Sequence, residues 1–250
     1  MSSIEAITFD LWQTLILDER ELGRTRTRRR LEGSLEALNA AGYDFSFDKL
    51  QEAHRACFRT CRVIHNQEKD VTFDEQVSIF IDNIDKNLSQ RLDPEVTSRI
   101  SYCYAEAFFD FPPPVVSGAY EVLKEINNMG YRVGMISNTG MTPGRLFRRY
   151  LAQHKILDFF QALTFSDEVM LCKPSTKMFH MTLDELGTTP DKAVHVGDHV
   201  ANDILGGNRA GMRTVLLGTA EGQNKISSPH LQIMSLWDLP ELLSRSPLLR

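Results

Sequence analysis

The sequence predicts an α/β protein with a Rossmann-like parallel sheet core and an inserted α-helical bundle. Two observations indicate this class. In the second half of the chain, short apolar segments alternate with amphipathic helical segments, as they do in parallel βαβ units. One further apolar segment lies near the N-terminus, and about ninety residues of helical periodicity separate it from the others. We therefore expect the first strand to join the later strands in a single sheet.

The first predicted strand ends at Asp10, and Thr14 follows four positions later. Ligands of open parallel sheets bind outside the carboxyl ends of the strands, so Asp10 is a candidate reactive group. From this stretch alone, an N-cap or turn-forming role for Asp10 remains equally open. The Thr14 hydroxyl has two interpretations, a substrate contact or a hydrogen bond to the backbone of its own turn.

Helical periodicity then covers four segments. A capping box at Thr72 and Glu75, and an Asp93-Pro94 helix start, mark two of the boundaries. A run of three prolines at 112–114 closes this region. We expect a helical cap domain at 18–112 and a catalytic core formed by residues 1–17 and 113–250. The predicted helices are 21–40, 47–65, 73–88 and 94–109.

The remaining chain alternates helix with strand. Glycines at 130, 187 and 211 end three of the helices. The predicted helices are 118–129, 143–154, 176–186, 200–210 and 236–243, and the predicted strands are 131–136, 162–165, 193–196, 214–217 and 231–234.

Polar residues follow several of these strands. Ser137 and Asp198 stand directly after or close to strand ends, and Lys173 lies in a neighbouring loop. In a parallel sheet they meet Asp10 at one crevice. A carboxylate there serves as a nucleophile, while hydroxyls and a lysine hold the oxygens and the charge of a transferred group. Asp198 and Asp203 offer the hard oxygen ligands that Mg²⁺ prefers. Together these residue types indicate phosphoryl transfer to an aspartate.

The same residues resemble the sequence motifs of a known enzyme superfamily. Residues 9–15, 136–138, Lys173-Pro174 with Phe179, and 196–212 match, in order, four sequence motifs of one superfamily. The chain resembles the haloacid dehalogenase-like hydrolases, of the type with a helical cap inserted after the first strand, over nearly its whole length. The resemblance implies that Asp10 is the nucleophile and Lys173 the catalytic cation.

It also implies that Thr14 and Ser137 orient the substrate, and we expect Asn138 to contact the substrate as well. The implied Mg²⁺ ligands are Asp10, Asp198 and the backbone carbonyl of residue 12, with Asp203 as a ligand or a ligand-orienting neighbour.

Trp12 departs from the pattern. Phosphatases of the superfamily usually carry a second Asp there, as the general acid and base, and an indole does neither job. That catalysis is typically worth about 10²–10⁴-fold in rate. In the 2-haloacid dehalogenases an aromatic residue fills this position, and in phosphonoacetaldehyde hydrolases it is Ala. We also expect the Trp12 side chain to contact the substrate. Whereas the aromatic residue at position 12 resembles the dehalogenases, Asp198 and Asp203 are the residues that the metal-dependent phosphatases of the superfamily carry at the corresponding positions.

We therefore expect a Mg²⁺-dependent phosphohydrolase that acts on a small phosphorylated metabolite through an aspartyl-phosphate on Asp10. The alternatives are a 2-haloacid dehalogenase or a phosphonatase-like hydrolase that uses the same nucleophile, and a weakly active or non-catalytic ligand-binding member.

Two other groups of residues carry two interpretations each. A dense arginine run in the first insert helix (Arg24, Arg26, Arg28, Arg29 and Arg30) is typical of a solvated helix face, or one of them binds an anionic group of the substrate. His199 is either a helix-start residue or a substitute proton donor. His195, inside a strand, is expected to be buried structure.

Composition limits the function classes. The 250 residues include 28 basic and 33 acidic side chains, a net charge of -5, which gives no general footprint for nucleic acid. No run has the length of a membrane span, and the N-terminus lacks the pattern of a signal peptide. We expect a cytoplasmic monomer or homodimer without membrane or nucleic-acid partners, whose substrate is a small molecule.

Overall fold

The computed structural model describes residues 3–222 and 226–246. Six parallel strands form one sheet, which confirms the predicted fold class. The strands are β1 (Ala6–Phe9), β2 (Arg132–Ser137), β3 (Ala162–Phe165), β4 (Ala193–Gly197), β5 (Arg213–Leu217) and β6 (Leu231–Ile233). Their order in the sheet is β3-β2-β1-β4-β5-β6. The first strand of the chain therefore lies at the centre, between β2 and β4, and the prediction that it joins the later strands is confirmed.

Four helices follow β1 and form the helical insert. They are α1 (Arg20–Ala40), α2 (Phe47–His65), α3 (Phe73–Ile84) and α4 (Pro94–Asp110). They share a hydrophobic cluster that includes Leu31, Phe80 and Ile100, and Leu146 from outside the insert also belongs to it. This helical insert thus buries apolar surface separately from the sheet.

The capping signals predicted in the insert are present. Thr72 and Glu75 form the reciprocal capping box, and the Asp93 side chain accepts a hydrogen bond from the N–H of Glu95. The predicted helix 73–88 ends earlier, at Ile84, because Asp85 takes an extended conformation and Asn87 a left-handed one, with φ 56°. A short 3₁₀ turn at Leu88–Gln90 follows.

Six further helices belong to the second half: α5 (Ala119–Asn128), α6 (Gly144–Gln153), α7 (Ser166–Val169), α8 (Thr176–Glu185), α9 (Leu205–Arg209) and α10 (Leu239–Arg245). The single turn of α7 was not predicted, since four residues carry no helical period. The predicted helix 200–210 begins instead as a π-helical turn at Val200–Ile204. Such turns occur frequently at functional sites.

Alternate residues of β1 pack on opposite faces of the sheet. Ile7 and Phe9 belong to a cluster with apolar residues of α5, α6 and α10, whereas Ala6 packs with residues of α8 on the other face. All four residues of β1 are buried, as in a central strand covered on both sides. The sheet thereby delivers Asp10, the residue after β1, to the middle of its carboxyl edge.

The insert contacts the core at several places. Phe108 of α4 lies within the cluster that α5 and α6 form with the sheet. On the far side, Lys69 forms an antiparallel β-bridge with Leu171, two residues before Lys173. Among the described helices, none combines the length and apolar character that spanning a membrane requires.

Candidate active site

The carboxyl edge of the sheet brings Asp10 and Lys173 into contact. Asp10 follows β1, and its N–H donates to the carbonyl oxygen of Val196 in β4 at 2.9 Å. The Lys173 Nζ donates to Asp10 Oδ1 at 2.5 Å and to Asp203 Oδ1 at 2.6 Å. All three side chains are buried. Residues separated by more than 160 positions in the chain therefore form one buried ion-pair network, at the edge where the sequence predicts a crevice.

Acidic groups outnumber basic ones in this network. One carboxylate oxygen from each of Asp10, Asp198 and Asp203 lies within 4.8 Å of the others. Burial raises the pKa of Asp10 to about 6, with Lys173 opposing and Asp203 reinforcing the effect. Burial, together with Asp10 and Asp203, raises the pKa of Asp198 to about 7. Three carboxylates against one ammonium form a site that fits a further cation.

Asp203 is held by hydrogen bonds on both of its carboxylate oxygens. Oδ1 accepts from Lys173 and, at 3.3 Å, from His195 Nε2, and Oδ2 accepts from the N–H of His199 at 2.9 Å. Burial opposes ionisation of Asp203, but Lys173 and His195 outweigh it and lower the pKa. These bonds hold the Asp203 carboxylate in one orientation, and its role as a metal ligand or as a ligand-orienting neighbour stays a prediction.

Gly197 makes room for Asp203. A Cβ at residue 197 would lie 2.4 Å from the Asp203 Cγ, which is closer than real Cβ contacts. The π-helical turn contributes as well, since the N–H groups of Asp203 and Ile204 both donate to the His199 carbonyl oxygen, at 2.8 and 3.4 Å. The Gly197-Asp198 pair therefore combines a carboxylate with a glycine that admits a second carboxylate from the following turn.

Asn138 positions Lys173. Its Oδ1 accepts from the Lys173 N–H at 2.8 Å, and its Nδ2 donates to the Lys173 carbonyl oxygen at 3.2 Å. Burial would lower the pKa of Lys173, but Asp10 and Asp203 outweigh it and raise the pKa, so the side chain stays charged. The Asn138 amide is engaged with the Lys173 backbone in this way, and a contact of Asn138 with substrate stays a prediction.

The hydroxyl groups of Ser137 and Thr14, which are both predicted to orient the substrate, differ in their hydrogen bonding. Ser137 ends β2 and is buried, and its hydroxyl donates to the Asn138 carbonyl oxygen at 3.3 Å. The Thr14 hydroxyl is also buried, and it has no hydrogen-bond partner in the part of the chain that the structure describes. The alternative in which the Thr14 hydroxyl satisfies its own turn is therefore not what the structure shows. A buried orphan hydroxyl costs free energy unless a ligand or water completes it.

Trp12 occupies a half-buried position between the core and the insert. Its ring makes edge contacts with Phe108 at 6.3 Å and Phe147 at 5.3 Å between centroids. The guanidinium of Arg26 lies 5.9 Å from the Trp12 ring centroid. The position that the resemblance associates with a general acid therefore holds an aromatic contact without a carboxyl group.

The arginine run divides into two groups. Arg24, Arg28 and Arg29 are exposed and pair with acidic side chains, so the prediction of a solvated face describes them. Arg26 and Arg30, one turn apart on α1, are buried. Sequence spacing alone did not separate these two from the others, because all five lie within seven positions of one helix.

Sequence reasoning missed the contribution of His195. The residue is buried as expected, but it also bridges Asp203 and the Thr8 hydroxyl, which lies 2.9 Å from His195 Nδ1. Thr8 and His195 are register partners on β1 and β4. Two polar residues at matching positions of adjacent apolar strands were the available signal. His199 accepts the N–H of Asn202 on Nδ1 at 3.1 Å, as a helix-start residue does.

Comparisons with known proteins agree with this geometry. The family model for haloacid dehalogenase-like hydrolases matches residues 4–211. The chain is 25% identical over 226 residues to a glyceraldehyde 3-phosphate phosphatase of Methanopyrus kandleri, covering 88% of this chain and 87% of that protein. It is 26% identical over 164 residues to the pyrophosphatase PpaX of Halalkalibacterium halodurans, covering 62% and 73%.

A solved structure shares the fold. The crystal structure of 2-haloacid dehalogenase from Pseudomonas syringae pv. Tomato superposes with a TM-score of 0.72 at 20% identity, over 97% of this chain and 99% of that one. At this identity the likeness shows the fold alone. The family match over most of the chain shows that the protein belongs to the haloacid dehalogenase-like hydrolases and is an enzyme of the hydrolase class.

Proposed function

We propose that the protein is a Mg²⁺-dependent phosphohydrolase that acts on a small phosphorylated metabolite through an aspartyl-phosphate on Asp10. The observation that carries the proposal is the buried Asp10, which Lys173 contacts at 2.5 Å beside two further carboxylates. The named relatives support the substrate class, since they are phosphatases of glyceraldehyde 3-phosphate and of pyrophosphate.

The donor set fits Mg²⁺. The clustered carboxylates are hard oxygen ligands, and one lysine leaves their charge uncompensated. In this proposal Asp10, Asp198 and the backbone carbonyl of Trp12 hold the ion, and Asp203 orients the surrounding groups through its bonds to Lys173 and His199. When bound, the ion neutralises charge on the transferred phosphoryl group.

The chain's own residues supply the covalent chemistry. An Asp10 carboxylate oxygen attacks phosphorus, the bond from phosphorus to the ester oxygen breaks, and the leaving oxygen takes a proton from solvent. Lys173 keeps Asp10 ionised and placed for attack. The hydroxyls of Thr14 and Ser137 are proposed to bind phosphoryl oxygens. Water then attacks the aspartyl-phosphate, which releases inorganic phosphate and restores the Asp10 carboxylate.

Trp12 restricts the leaving group in this scheme. No carboxyl at residue 12 is present to protonate an alkoxide, so esters of acidic alcohols and acyl phosphates react faster than simple alkyl phosphates. We also propose that the helical insert, residues 18–112, acts as a cap that excludes water and bulky substrates from the crevice. The contacts of Phe108 and Arg26 with the Trp12 ring support this role.

A second candidate is hydrolysis of a carbon-halogen bond by the same Asp10 nucleophile. The aromatic residue at position 12 favours it, because a halide leaves without needing a proton. The acidic cluster opposes it, because a carboxylate substrate without a metal would be repelled.

One pair of assays decides between these candidates. We expect hydrolysis of p-nitrophenyl phosphate that requires Mg²⁺ and falls about 10⁴-fold or more in Asp10→Asn, as losses of a covalent nucleophile do. Chloride release from 2-chloropropionate is measured alongside with the same variant. Metal-independent chloride release would replace the phosphohydrolase with a dehalogenase. Absence of activity in both assays would leave a phosphonatase-like or non-catalytic role.

A further inference from the structure

Two buried guanidinium groups lie one turn apart on α1, and they differ in how their charge is balanced. Arg26 Nη2 donates to Asp18 Oδ2 at 2.5 Å, and Arg26 Nη1 donates to the Phe111 carbonyl oxygen at 3.1 Å. Arg30 instead bonds two uncharged groups: Nε donates to the Tyr104 carbonyl oxygen and Nη2 to the Thr142 hydroxyl, both at 2.9 Å. Within residues 3–222 and 226–246, no carboxylate pairs with Arg30.

Among the ionisable neighbours of Arg30, Asp18 contributes negative charge, but Asp18 is paired with Arg26, whose positive charge opposes that contribution. The Arg30 guanidinium lies 5.6 Å from the Tyr104 ring centroid, and burial raises the pKa of Tyr104 well above its usual value, so the phenol is neutral. Burial, with Arg30 itself, lowers the pKa of His54 to about 4, so that ring is neutral as well. Burial lowers the pKa of Arg30 to about 10, which leaves the guanidinium charged at neutral pH.

Arg30 lies where the insert meets the catalytic edge of the sheet. Thr142, its partner, belongs to the loop that begins with Ser137 at the end of β2 and leads to α6. One turn earlier on the same helix, Arg26 lies over the ring of Trp12, two residues after Asp10. Arg30 Nη1 makes no hydrogen bond to any residue that the structure describes.

A buried charge without an oppositely charged partner is costly, and a guanidinium presents paired N–H donors whose geometry matches a carboxylate or a phosphate. We propose that Arg30 binds a second anionic group of the substrate, at the end remote from the phosphate that reacts with Asp10. The substrate class is then a small phosphate ester or anhydride whose leaving group carries a carboxylate or another phosphate. This inference rests on the proposed phosphohydrolase function and narrows its substrate.

The test compares three phosphate substrates. The group remote from the reacting phosphate is a carboxylate in 2-phosphoglycolate, a phosphate in pyrophosphate and uncharged in ethyl phosphate. For each enzyme, the kcat/KM for an anionic substrate is divided by that for ethyl phosphate. We expect Arg30→Met to lower this ratio by about 10- to 100-fold, mainly through KM, as loss of a charged hydrogen bond does. Whether the 2-phosphoglycolate or the pyrophosphate ratio falls identifies the remote group as carboxylate or phosphate.

Arg28→Met is the matched control, because Arg28 lies on the same helix but is exposed and paired with Glu32. We expect both ratios to be unchanged in this variant. Arg30→Lys keeps the positive charge but removes the paired N–H donors of the guanidinium. For this variant we expect kcat/KM ratios between those of the wild type and those of Arg30→Met. Ratios that Arg30→Met and Arg30→Lys leave at the wild-type value would overturn the proposal.

Calorimetry separates a failure of this inference from a failure of the proposed function. In the Asp10→Asn background with Mg²⁺, we expect Arg30→Met to raise the Kd of 2-phosphoglycolate or pyrophosphate by about 10- to 100-fold. The Kd of ethyl phosphate serves as the reference. If p-nitrophenyl phosphate is not hydrolysed but this discrimination is present, the chemistry at Asp10 is wrong and the anion site at Arg30 stands. Hydrolysis without discrimination overturns the anion site alone.

Discussion

The carboxyl edge of the sheet and the side of the helical insert that faces it carry opposite charge imbalances. At the sheet edge, Lys173 pairs with Asp10 and Asp203, and the Asp198 carboxylate lies beside them. On the insert, the buried Arg26 and Arg30 have one carboxylate partner between them among the described residues, Asp18. The first arrangement suits a bound cation and the second suits a bound anion. A substrate with a phosphate at one end and an acid at the other complements both when Mg²⁺ is present.

The largest effect on stability is expected from removing Lys173, the cation of the sheet-edge network. Lys173→Met leaves buried carboxylates without their partner, so we expect the free energy of unfolding to fall by about 3–5 kcal/mol. We expect kcat/KM for p-nitrophenyl phosphate to fall by about 10³-fold or more, because charge on the phosphoryl group is no longer offset. Urea denaturation and steady-state kinetics measure the two effects.

Lys192→Met is the control for that experiment. Lys192 pairs with Glu5 at 2.8 Å, but it is 39% exposed and lies away from the carboxyl edge. Solvent-exposed pairs contribute about 1 kcal/mol or less, so we expect a small loss of stability and unchanged kinetics. Equal losses in the two lysine variants would mean that the carboxyl edge does not depend on Lys173 for its charge balance.

The two regions also differ in how well the sequence predicts them. The fold class followed from the alternation of helix and strand, and the contact of Asp10 with Lys173 followed from strand ends of a parallel sheet. Those inferences work because topology alone places strand ends together. The roles of Arg26 and Arg30 depend on the rotation of α1 against the core, and a dense arginine run does not reveal which side chains are buried.

Some features of the sheet edge could not be predicted from the sequence either. The π-helical turn depends on local backbone geometry, and the bond from His195 to Asp203 depends on where that turn places the Asp203 side chain. A helical pattern over 200–210 is compatible with either kind of turn. The orphan hydroxyl of Thr14 is likewise a property of the folded site, since the sequence left its two interpretations equal.

The tight packing of the sheet edge predicts an intermediate effect. In Gly197→Ala the new Cβ would lie 2.4 Å from the Asp203 Cγ, so Asp203 or the strand must move. We expect the free energy of unfolding to fall by about 1–3 kcal/mol, as overpacking does, with a parallel loss of activity.

Gly23→Ala makes the matching change in the insert. Gly23 lies within α1, and the nearest atom to its added Cβ would be Asp18 Oδ2 at 3.8 Å, an ordinary contact. Because alanine is the better helix former, we expect a gain of about 0.5–1 kcal/mol. If Gly197→Ala proves as harmless as Gly23→Ala, the carboxyl edge is not packed as the structure shows. Denaturant titration of both variants measures the difference.

The smallest expected effect concerns Trp12, where the two regions meet. Trp12→Asp introduces a carboxyl group two residues after the nucleophile, in a position to protonate a leaving alkoxide. We expect the ratio of kcat/KM for ethyl phosphate to that for p-nitrophenyl phosphate to rise about 10-fold, because only the alkyl ester needs the proton. Trp12→Phe, which keeps a ring against Phe108 and Phe147, should leave the ratio unchanged. An unchanged ratio in Trp12→Asp would mean that another group already donates this proton, and that the indole between the insert and the sheet edge does not limit the choice of leaving group.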